Sequence, residues 1–97
     1  MRVEFHAQTT NDLNSAVAYY NGLHAGLGDS LRAEVYAAIE NILLNPLQFT
    51  VVQHEIRRSF VHRFPYSILF RIIGTEAVRI LAIRHHRRHP RFGLSRK

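Results

Sequence analysis

The stretch that decides the fold is "YSILFRIIGTEAVRILAIRHH" (residues 66–86). Apolar residues alternate through its first eight positions, placing Tyr66, Ile68, Phe70 and Ile72 on one face of a strand. Gly74-Thr75-Glu76 supplies turn residues, and "AVRILAIRHH" (77–86) returns as a second β-rich run. Both runs carry apolar residues on both faces, which predicts two strands in the middle of a sheet.

Outward from this hairpin, "IRRSFVHRF" (56–64) and "FTVVQ" (49–53) also read as strands. Pro65 cannot donate to a strand ladder, so it marks a junction. N-terminal to Pro46 the apolar period changes from 2 to 3.6. Leu31, Val35, Ala38, Ile39, Ile42 and Leu43 fall on one side of a helix opening near Asp29 and stopped by Pro46. Leu13, Ala16, Val17, Tyr20 and Leu23 form the stripe of an earlier helix, for which Thr9 and Asp12 stand at capping-box spacing. "GLHAGLG" (22–28) joins the two as an antiparallel hairpin, and "RVEF" (2–5) precedes them as a strand. The predicted class is α+β over residues 1–97 as one domain: an N-terminal strand and a helical hairpin packed on a twisted, mostly antiparallel sheet.

Charge divides the chain. Residues 1–50 hold two arginines against five acids, a net of −3, whereas residues 51–97 hold eleven Arg/Lys against two acids, a net of +9. Twelve of the thirteen cations are arginine. Arginine's planar fork suits phosphates and carboxylates, so the basic half is expected to meet an acidic partner, either nucleic acid or protein. No apolar run is long enough to cross a membrane, and "MRVEFHAQTT" has no apolar leader core, which places the chain in the cytoplasm as an expectation. There is no cysteine, no glycine-rich phosphate loop and no nucleophile elbow, and no cofactor is expected. His85 and His86 are adjacent on a strand and point oppositely, and arginines flank them, so no metal site is expected either. A nuclease reading would take His85 as general acid or base, with Arg71, Arg87 or Arg88 stabilising charge at phosphorus.

Nearly the whole chain resembles the RelE/ParE superfamily of toxins from bacterial type II toxin–antitoxin systems, in its ParE branch. The resemblance runs through "DLNSAVAYY", "GLGDSLRAEVYAAIENILLNP", "IRRSFVHRFPYSILFRI" and "ILAIRHHRRHP". It implies the same sheet-plus-hairpin fold and a cognate acidic antitoxin that neutralises the toxin in a hetero-oligomer. For the ParE branch it also implies poisoning of DNA gyrase, growth arrest and plasmid stabilisation. RelE-like members instead cut mRNA on the ribosome with basic residues and a late tyrosine. Here no tyrosine follows Tyr66, and Ser67 stands where those proteins carry an arginine. Gyrase binding is therefore the first reading. A ribosome-dependent endoribonuclease and a non-toxic antitoxin-binding homologue stay open. On the first reading Arg57, Arg58, His62, Arg63, Arg71, His85, Arg87 and Arg88 dock the target or the antitoxin.

Overall fold

The computed structural model describes residues 1–97. Its elements run β1 (Arg2–Phe5), α1 (Ala7–Leu23), α2 (Leu27–Leu44), a 3-10 turn (Pro46–Gln48), β2 (Thr50–Gln53), β3 (Ile56–Phe60), β4 (Tyr66–Ile73) and β5 (Ala77–His85). The sheet order is β1-β5-β4-β3-β2. Only the β1–β5 pairing is parallel. The β4–β5 hairpin lies at the centre, as the two-faced apolar pattern predicts.

The helical hairpin covers one face. Ile68, Phe70, Val78, Ile80 and Ile83 from the sheet meet Leu13, Val17, Leu31, Val35, Ile39 and Ile42 from the helices in the main core. The two helices cross closely at Gly28, where an added Cβ would lie 2.0 Å from the Val17 carbonyl oxygen. Asn21 fixes this crossing by accepting the Gly28 amide proton at 2.7 Å. α2 ends at Leu44, before Pro46, whose ring cannot continue the helix.

Three boundaries differ from the sequence reading, the least of them that α2 opens at Leu27, inside the stretch expected as the turn over 22–28. α1 starts at Ala7 rather than at a Thr9–Asp12 capping box. His6 stays on β5 through its amide to the Ile80 carbonyl, and its Nδ1 accepts the Gln8 amide. Thr9 is buried inside the helix and donates to the Ile80 carbonyl at 3.1 Å. The run expected as a strand over 56–64 ends at Phe60. Arg63 takes φ +71°, and Val61 and Phe64 turn into the core ahead of Pro65.

A β-bulge decides which side chains face where. Leu69 pairs with Ala82 but Phe70 pairs with Ile80, leaving Leu81 as the extra residue of β5. The alternation of β5 therefore changes phase. Leu81 and Ala82 both pack on the helix-free face with Ile56 and Leu69, while Ile83 returns to the main core. The C-terminal segment covers this second cluster with Phe92 and Leu94. Gly93, at φ +83°, passes so near that its Cβ would lie 2.6 Å from that of Ala82. No helix is long and apolar enough to cross a membrane.

Candidate functional site

The phase change of β5 puts Arg84 and His86 on the helix-free face, and His85 on the helical side. Across the hairpin Arg84 pairs with Ser67, and across β3 Ser67 pairs with Phe60. These residues, with Arg58, Arg88 and Pro90, wall a groove of about 220 Å³. His86 Nε2 lies 3.1 Å from the Ser67 hydroxyl and its ring meets Phe60 edge-on at 5.7 Å. The Arg58 guanidinium stacks over Phe60 at 4.8 Å. Arg84 donates to the Pro90 carbonyl at 2.6 Å, which holds the following turn against the groove.

No acid lines this groove. The ion pairs of the chain are Arg2–Glu4, Arg79–Glu4, Arg71–Glu55 and Arg96–Asp12, so Arg58, Arg84 and Arg88 have no carboxylate partner. The Nε of Arg58 is buried without an acceptor. Burial, and then the neighbouring charge of Arg58, pulls the Arg84 guanidinium below its ordinary pKa. Three guanidinium groups so arranged repel one another until an anion enters.

On the helical side, His85 packs edge-on against Tyr66 at 5.0 Å, and its Nδ1 accepts the Arg87 amide at 2.9 Å. Burial lowers its pKa from 6.5, with Arg87, His86 and Arg88 adding to the effect. Asp12, Tyr19, Tyr66, His85, Arg88 and Phe92 border a second depression of about 260 Å³ beside α1. Arg88 thus stands at the sheet end between two concavities, stacked over Phe92 at 4.9 Å.

The family model for the ParE toxin of type II toxin–antitoxin systems (parDE) matches residues 3–90. The chain belongs to the ParE toxin family. Among solved structures, this ParE-family fold is similar to a chain of the chromosomal ParDE toxin–antitoxin system from P. aeruginosa. The TM-score is 0.77 at 18% identity, covering 88% of this chain and 95% of that one. No curated protein matches it.

The cations singled out in the sequence are dispersed in this ParE toxin. Arg58 and Arg88 meet in the basic groove. Arg57 turns to the helical side and donates to the Phe49 and Leu47 carbonyls at 2.7 and 3.3 Å, tying β3 to the segment after α2. His62 borders an adjoining groove of about 410 Å³ with Glu34 and Asn41, which Arg58 and Phe60 also line. Arg63 is exposed and stacks over Phe64 at 5.3 Å. Arg87 is exposed in the turn after β5. Arg71 pairs with Glu55 at 3.4 Å and stands in register with Arg79, six residues from His85. At about 3.3 Å per residue that is roughly 16–20 Å, and the two side chains project from opposite faces. Of the residues named for nuclease chemistry, Arg71 therefore stands apart from His85, whereas Arg88 borders the same depression as His85 and Arg87 donates its amide to the His85 ring. Arg84, Phe60 and Ser67, which the sequence reading did not select, complete the groove instead.

Proposed function

We propose that this ParE-type toxin acts by binding, with DNA gyrase as its target, and that an acidic antitoxin segment neutralises it. The observation that carries this reading is a groove whose three arginines have no carboxylate partner, with Arg71 held apart from His85. An open cationic groove with no acid in its lining suits the docking of an anionic partner. The solved relative is described as a ParDE toxin–antitoxin system, which supports an antitoxin partner here.

The antitoxin surface is narrower than the two-faced strands suggest, because Phe92 and Leu94 already cover the helix-free apolar cluster. What remains is an open strand edge on β1 and on β2, and exposed Phe5, Tyr36, Leu44, Leu47, Val51 and Phe60. A largely disordered acidic segment that folds along such edges would bury at least ~2,000 Å² in all. The test is an alanine series at Arg58, Arg63 and Arg88, scored for growth arrest and for melting temperature. Docking residues lose toxicity with little change in melting; Arg63 and Arg88 are exposed, and such arginines contribute under about 1 kcal/mol to stability. Toxicity that falls only in step with stability would refute the reading.

A further inference from the structure

The side chains of the basic groove narrow the chemistry of what it can bind. Arg58, Arg84, Arg88 and His86 converge there, and no acid of the chain balances them. A carboxylate presents two oxygens, which one guanidinium fork can satisfy, whereas three forks and an imidazole call for an anion richer in acceptors or for successive anions. Phe60 lies beside them with 61% of its surface exposed, so its ring is reachable from solvent. Cationic walls with an accessible aromatic ring are the two elements that hold a phosphate backbone and an unstacked base. In a duplex the bases are stacked and paired, and Phe60 could not reach a base face.

We propose that this groove binds single-stranded DNA, with phosphates held by Arg58, Arg84 and Arg88 and a base stacked on Phe60. The choice of DNA over RNA rests on the gyrase reading, since gyrase is a DNA enzyme. The groove itself is argued from its side chains alone. Binding involves no bond cleavage.

The experiment is fluorescence anisotropy of a labelled oligo-dT of about ten nucleotides, titrated with the full chain between about 50 and 200 mM salt. Affinity should fall with salt at a log–log slope of roughly −2, about −0.7 for each of three phosphate contacts. Arg58→Gln, Arg84→Gln and Arg88→Gln should each make the slope shallower by about 0.7. Arg88 is exposed, so its variant remains informative if Arg84→Gln impairs folding. Phe60→Ala should weaken binding roughly 5- to 150-fold at unchanged slope. Arg32→Gln, an equal change of charge on α2, should leave the slope as it was.

The proposal is overturned by no binding at low salt, by an Arg32→Gln effect equal to that of the groove variants, or by indifference to Phe60→Ala. Equal affinity for duplex DNA or for an oligoglutamate of the same charge also overturns it, as does tighter binding of oligo-U RNA. Oligo-dT binding by a chain that leaves gyrase supercoiling untouched would sustain the groove and refute the gyrase reading. Inhibited supercoiling without oligonucleotide binding would do the reverse.

Discussion

Arg96 and Asp12 close the C-terminal segment onto the sheet, and cutting that clasp has a calculable cost. Nη1 of Arg96 lies 2.5 Å from Asp12 Oδ2 and Nη2 lies 3.2 Å from Oδ1, with both side chains only 11% exposed. The same carboxylate accepts the Ile83 amide at 3.1 Å, and the same guanidinium donates to the Leu81 carbonyl at 2.9 Å. β1 ends at Phe5, opposite Ile80, so this edge of β5 has no strand partner beyond that point. The ion pair takes the strand's place. Arg96→Ala removes charge-assisted hydrogen bonds worth about 1.5–3 kcal/mol each. Truncating one member of a fully buried pair costs about 3–5 kcal/mol. Here the segment can lift and let water reach Asp12, so the expected loss is at the lower end, about 2–3 kcal/mol. In a domain of this size that lowers Tm by roughly 8–24 °C. Asp12→Ala should cost about 1 kcal/mol more, because the Ile83 amide also loses its acceptor. Urea unfolding of the two single variants and the double variant gives the coupling, expected at about 1.5–3 kcal/mol. A coupling below about 0.5 kcal/mol, the range of an exposed surface pair, would refute the clasp.

Other consequences are equally direct. Phe70→Ala empties a fully buried site facing Phe49 and should cost about 3–5 kcal/mol in urea unfolding; a loss under about 1 kcal/mol would contradict the core described. Gly93→Ala forces a side chain into the left-handed region and against Ala82, and should destabilise by at least about 1 kcal/mol, with partial relief from a second Ala82→Gly change. His85 should titrate below 6.5 by NMR. Its folded state then binds fewer protons than the unfolded chain just below 6.5, so stability should fall as pH drops from 6.5 through the folded pKa, and His85→Gln should flatten that fall. An imidazole titrating at or above 6.5 would contradict its burial.

The central hairpin and the helical pair are legible in the sequence because their apolar periods, 2 and 3.6, are unbroken where burial is one-sided or complete. The groove is not. In "RILAIRHH" (79–86) four consecutive apolar residues hide the point at which β5 changes phase. Simple alternation from Val78 and Ile80 would send Arg84 and His86 to the helical side, and only the unpaired Leu81 reverses this. Thr9 and Asp12 mislead for a related reason. Their spacing fits a helix cap, yet tertiary contacts with the Ile80 carbonyl and the Ile83 amide recruit them to the free edge of β5. Arg57 and Arg58 are neighbours in sequence and unlike in role: one ties down the backbone after α2, and the other is left unpaired over Phe60.

Whether these arginines dock a target or serve a reaction is settled most directly by two assays on one preparation. Purified protein is added to a gyrase supercoiling reaction with DNA cleavage scored, and to ribosomes translating a defined mRNA. The docking account expects inhibited supercoiling with the mRNA intact. Codon-registered cuts in the mRNA that vanish on His85→Ala, with supercoiling untouched, would contradict it.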